Sequence, residues 1–146
     1  MAPFIALVGG WLVLRLAGLL GIDALDGWQP ALRGGLALMF VLTGVAHFSA
    51  KRRDSLIAMV PPRLPRAPLL VTITGILELA GAVGLLLPPT ARAAAVCLAL
   101  LLLALFPANV SAARRQLKIA DRPVTPLIPR TLLQVLFLAA CVLAAL

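Results

Sequence analysis

Glu78 is the residue with the clearest chemical potential in this chain. It lies nine residues into an apolar run that begins at Leu69, about 13 Å along a helix at 1.5 Å per residue. A carboxyl at that depth in lipid is costly, and such groups tend to face a neighbouring helix or a cavity. Thr74 and Gly75 lie one turn before it, with Gly81 and Gly84 beyond, so a second helix can approach closely. Two readings stay open: a proton-bearing or ligand-binding carboxyl, or a carboxyl that bonds a neighbouring helix as glue. His47, the single histidine, stands one turn after Thr43 near the end of another apolar run. It suits a proton relay or a head-group contact, or else a helix-end residue that answers the dipole and pairs with a carboxylate. Without Cys or carboxylate at ligand spacing it is no metal motif.

Further polar residues share this pattern. Pro107 removes the amide that would bond the Leu103 carbonyl, and Asn109 follows it. Broken backbone at membrane depth either lines a cavity or is satisfied locally, here by Asn109. Arg130 and Gln134 occupy one helix face at i and i+4. Arg15 is expected to snorkel outward as an anchor. Cys97 and Cys141 form no C-x-x-C; they read as small buried hydrophobes, or as a pair if their helices touch. Phosphate-loop, Ser-His-Asp and nucleotide fingerprints are absent from the sequence.

The elements that position these residues follow from composition. Hydrophobic residues make up 62% of the chain and charged ones 12%, with mean hydropathy +1.09. Soluble domains run about 45–50% apolar and about 25% charged, so a water-soluble domain is excluded, and disorder with it. A bilayer core about 30 Å thick needs about 20 apolar residues per helix. Such stretches occur at 3–21, 31–49, 69–87, 91–112 and 127–146. The first contains Arg15 but lacks the basic leader and cleavage site of a signal peptide, and is taken as a membrane helix. The fold expected is an all-α, polytopic membrane bundle in one domain, 1–146.

The charges, 13 Lys and Arg against 5 Asp and Glu, set its orientation. Asp23 and Asp26, with Arg33 nearby, follow the first run, and Arg92 stands near the Pro88-Pro89-Thr90 connection. Lys51, Arg52, Arg53, Asp54, Arg63 and Arg66 crowd the loop 50–68; Arg114, Arg115, Lys118, Asp121 and Arg122 crowd 113–126. By the positive-inside rule both basic loops and the N-terminus are expected in the cytoplasm, and the C-terminus outside. The +8 net charge thus reports topology, and nucleic acid is not an expected partner. Prolines 61, 62, 65 and 68 and prolines 123, 126 and 129 fill the same two loops. Lys51-Arg52-Arg53 would end the second helix, and Asp54 would cap a short interfacial segment, Ser55 to Val60. With antiparallel spans, His47, Asn109, Arg130 and Gln134 fall in the cytoplasmic half, with Glu78 just beneath. A single polar pocket opening inward is the expectation.

The segments Gly44-Val45-Ala46-His47-Phe48, Met59-Val60-Pro61-Pro62-Arg63-Leu64-Pro65 and Thr74-Gly75-Ile76-Leu77-Glu78-Leu79 carry a resemblance. So do Gly84-Leu85-Leu86-Leu87-Pro88, Phe106-Pro107-Ala108-Asn109-Val110 and Arg130-Thr131-Leu132-Leu133-Gln134. In order and approximate spacing this set, over Ala31 to Leu146, resembles the DoxX-like family of small bacterial integral membrane proteins. The resemblance implies a four-helix membrane core, here with an extra N-terminal span. It also implies a bacterial cytoplasmic-membrane location and an association with quinone-linked redox complexes. The expected function is a subunit of such a complex, not a free-standing enzyme, that binds a quinone or lipid-like molecule. His47 and Glu78 would handle protons, and Thr74, Asn109, Arg130 and Gln134 would complete the ligand site. No flavin, haem or cluster motif is evident, so electrons would come from a membrane oxidoreductase partner. Beside this reading stand a non-catalytic assembly or stabilising subunit and, third, a small transporter, which at this size would need to form a homo-oligomer.

Overall fold

The computed structural model describes residues 2–119, 122–123 and 125–146. Asp121 of the second basic loop lies outside them. The described residues form an all-α bundle of six helices: α1 (Ala2–Leu19), α2 (Trp28–Ala46), α3 (Ala50–Met59), α4 (Ala67–Leu86), α5 (Ala91–Arg114) and α6 (Leu127–Ala145). All but α3 are long and apolar enough to cross a membrane. A single 3-10 turn, Asp23–Leu25, leads into α2, and a two-residue antiparallel pair, Lys118–Ile119 with Arg122–Pro123, bridges α5 and α6.

Four of the helices close a ring: α2 packs on α4, α4 on α5, α5 on α6, and α6 returns to α2. The α2–α4 pair is antiparallel, Gly44 lying against Glu78 and Gly75 against His47, and a four-residue connection folds α5 back along α4. Helix α1 lies outside the ring and packs mainly on α2. There Gly35 lets the backbones meet, since a methyl group at that position would sit 2.6 Å from the Leu7 carbonyl oxygen. The four-helix core with an added N-terminal helix is thus present.

The ring has an apolar half and a polar half. Leu36, Leu85, Leu98 and Cys141, one from each ring helix, are fully buried toward the end that holds the start of α2. The buried polar residues His47, Glu78 and Gln134 lie toward the other end. That second end carries α3, which packs against α4 and α5, and the exposed Lys51, Arg52, Arg63, Arg66, Arg114, Arg115 and Lys118. Large apolar side chains such as Leu100, Leu132 and Val83 cover the outside. A surface of that kind suits hydrocarbon, not water.

One local expectation is corrected. The interfacial segment does not begin at Ser55 under an Asp54 cap; α3 starts five residues earlier, at Ala50 after Ser49, which makes no side-chain cap bond. Lys51-Arg52-Arg53 therefore sit in the first turns of α3 and do not terminate α2, where the dipole would have favoured them. Arg53 offsets this placement by bridging helix ends. Its Nη1 donates to the His47 carbonyl (3.0 Å), and its Nη2 to the Pro68 carbonyl (3.3 Å) and Thr72 Oγ1 (2.8 Å). Arg115 likewise donates to the Ala58 carbonyl (2.9 Å), and Arg33 to the Ala144 carbonyl (3.0 Å), which fastens α2 to α6. Arg15 pairs with Asp26 at 3.1 Å, tying α1 to the loop that follows it.

Candidate functional site

The α2–α4 crossing is built by two short segments of the same design, Thr43-Gly44-Val45-Ala46-His47 and Thr74-Gly75-Ile76-Leu77-Glu78. In an antiparallel pair the glycine of each segment faces the ionisable residue of the other. A methyl group on Gly75 would lie 2.6 Å from His47 Cβ, and one on Gly44 would lie 3.3 Å from Glu78 Cβ. Each glycine thus admits the opposing side chain to the helix–helix interface. Both threonine hydroxyls donate to their own helices: Thr43 to Met39 and Phe40 carbonyls, Thr74 to Leu70 and Val71 carbonyls. Thr74, expected among the ligand contacts, has its one proton engaged there.

His47 and Glu78 are brought together by this arrangement, at 8% and 4% exposure. His47 Nδ1 lies 2.9 Å from the Thr43 carbonyl. A carbonyl only accepts, so Nδ1 carries a proton, and in the neutral ring Nε2 presents the lone pair. The same Nδ1 stands 3.9 Å from Glu78 Oε2, beyond hydrogen-bond reach. Glu78 Oε2 is buried and has no hydrogen-bond partner.

The α5–α6 crossing collects the other candidates. Helix α5 runs through Pro107 without ending. Asn109 does not bond the Leu103 carbonyl that Pro107 frees; the side chain that reaches this stretch of α5 is Gln134, whose Nε2 donates to the neighbouring Leu102 carbonyl at 2.6 Å. Asn109 instead accepts from Arg130 Nη1 at 2.6 Å and offers its own amide to Gln134 Oε1 at 3.5 Å. Asn109, Arg130 and Gln134 thus form one chain of bonds between the two helices.

Among the described residues no hydrogen bond joins the His47–Glu78 pair to this second group. Two grooves of the surface are lined by neither group. One, of about 500 Å³ between α4 and α5, is lined by residues such as Gly81, Gly84, Ala94 and Cys97. A second, of about 640 Å³, lies between α1 and α2. Both cysteines are free; Cys141 is buried in the apolar half and Cys97 is exposed. Among the described residues no cluster of His, Cys, Asp or Glu could hold a metal ion. Sequence reasoning did not single out Arg53 or the doubled Thr-Gly-x-x-ionisable segment. The second was visible as text, since both copies stand in the chain with identical first residues.

No curated protein and no solved structure matches the chain. Residues 36–145, from the middle of α2 to the end of α6, match the profile of a domain of unknown function (DUF8561), and the chain belongs to that family.

Proposed function

We propose that this protein is a multi-pass membrane protein whose α2–α4 crossing binds the polar head of an amphiphile, a quinone or quinol first among them. The observation that carries this reading is Glu78 Oε2: a buried carboxyl oxygen with no partner, beside a histidine whose tautomer is fixed. An unsatisfied polar atom in an apolar bundle is costly, and a hydroxyl donated by a ligand would satisfy it. Oxidation of a quinol releases two protons and two electrons. His47 Nε2 and Glu78 are groups able to accept the protons, and the electrons would pass to a partner oxidoreductase. The resemblance to DoxX-like proteins supports this redox-subunit role. The crowding of cations at the α3 end supports a cytoplasmic placement of that end and of the N-terminus, with the C-terminus outside.

The test is mass spectrometry of quinones and lipids extracted from the purified protein, followed by titration with a short-chain quinol. The wild-type chain is expected to retain and bind it, and Glu78→Gln to bind about tenfold more weakly, the scale of one hydrogen bond to a charged group. Absence of bound amphiphile together with no effect of Glu78→Gln would remove the reading.

A second reading, an assembly or stabilising subunit, is favoured by one observation: Asn109, Arg130 and Gln134 bond α5 to α6 directly. Under that reading His47→Ala and Glu78→Gln lower yield or Tm while quinol never binds.

A further inference from the structure

Arg53 bonds both helices of the α2–α4 crossing at once. It stands in the first turn of α3, and its Nη1 donates to the His47 carbonyl at the end of α2. Its Nη2 donates to the Pro68 carbonyl and to Thr72 Oγ1 in the first turns of α4. The Thr72 hydroxyl gives its own proton to the Pro68 carbonyl at 3.0 Å, so its oxygen is left to accept. Along α4, Gly75, which receives His47, lies one turn beyond Thr72, and Glu78 one turn beyond Gly75. Glu78 is thus about 9 Å from Thr72 along the axis at 1.5 Å per residue. The guanidinium therefore ties the two helices together on the basic-end side of the buried pair. Helix α3 itself is lightly held. Its one buried residue is Met59, at its far end, where Arg115 also bonds the Ala58 carbonyl. No carboxylate pairs with Arg53 among the described residues. The first turn of α3 thus rests on one fork of hydrogen bonds, and segments with so few buried contacts open locally before the whole chain does.

We propose that Arg53 is a latch on the α2–α4 site. Bonded, it closes the crossing toward the basic end; released with the first turn of α3, it lets water reach His47 and Glu78. Both side chains of the pair are buried, and groups that take up and give back protons must meet water, or a relay to it, in each turnover. As regulation of that site, the inference rests on the reading proposed above, but its readout needs no ligand.

The test measures the rate at which diethyl pyrocarbonate modifies the full chain in neutral detergent. The chain has one histidine, so modification of imidazole reads His47 alone, at the Nε2 lone pair. N-ethylmaleimide reads the buried Cys141, in the apolar half of the ring, and peptide mass spectrometry separates it from the exposed Cys97. Wild type is expected to react slowly at His47 and at Cys141. Arg53→Gln should raise the rate at His47 about fivefold and leave Cys141 as it was. Arg53→Lys keeps the charge but presents one ammonium in place of a planar fork, so its rate should fall between the two. Arg52→Gln, exposed beside it on α3, should match wild type. An unchanged rate at His47 in Arg53→Gln would overturn the latch. So would a parallel rise at Cys141, which means loosening of the whole bundle, or a wild-type rate equal to that of a short histidine peptide, which means a crossing already open. Quinol that never binds strikes the reading above and leaves the result at His47 standing.

Discussion

The α2–α4 and α5–α6 crossings face the same problem and answer it differently. Both are antiparallel, and both bring polar side chains together in the polar half of the ring. At α2–α4 the contact is made by backbone proximity: two glycines admit His47 and Glu78, and the carboxyl keeps a free acceptor. At α5–α6 the contact is made by side-chain bonds, Gln134 to Leu102 and Arg130 to Asn109, and what is left over is a donor, Arg130 Nε. The first crossing holds a buried acceptor without a polar bond across it, whereas the second spends most of its polar groups on one another and leaves a buried donor. The first arrangement suits a site, the second a seam.

Five substitutions sharpen that contrast, each read by thermal or chemical unfolding in detergent. Gly75→Val should cost most, about 3 kcal/mol, because its Cβ meets the rigid Cβ of His47. Gly44→Val should cost less, since the nearest atoms there are the flexible end of Leu79; equal losses would mean the crossing is not set by these contacts. Gln134→Leu should cost about 1–2 kcal/mol, through the lost bond to Leu102 and an orphaned Asn109 amide. A neutral result would show that the seam is held by apolar packing alone. Arg53→Gln should cost about 1 kcal/mol and loosen α3 first, seen as faster proteolysis near Met59 than in the ring helices. Glu78→Gln should change stability least, within about 0.5 kcal/mol, because Oε2 bonds nothing. A large loss of stability there would turn the proposed site into a second seam.

The helices were legible because hydrocarbon demands long apolar runs and the loops are punctuated by proline. Depth was legible too: antiparallel counting placed Asn109, Arg130 and Gln134 at one level, and they do meet. Azimuth was not. A membrane helix is apolar on every side, so its sequence carries little record of which face meets which neighbour, and nothing showed that Glu78 would turn to His47 and away from Arg130. The start of α3 was missed for a different reason. Lys51-Arg52-Arg53 follow an apolar run so directly that they read as its tail, and the capacity of Arg53 to gather three distant oxygens is a tertiary fact. The match between Thr43-Gly44 and Thr74-Gly75 was hidden by its length, too short to register as a repeat.

The arginines that fasten helix ends to one another, Arg33, Arg53 and Arg115, donate to backbone carbonyls and not to carboxylates. Added electrolyte weakens attraction between exposed opposite charges, because mobile ions gather around both. A carbonyl carries no net charge to be neutralised in that way. The joints of this bundle should therefore hold at ionic strengths that would loosen one tied by surface ion pairs, and the Arg15–Asp26 link between α1 and its loop should be the joint that high salt relaxes first.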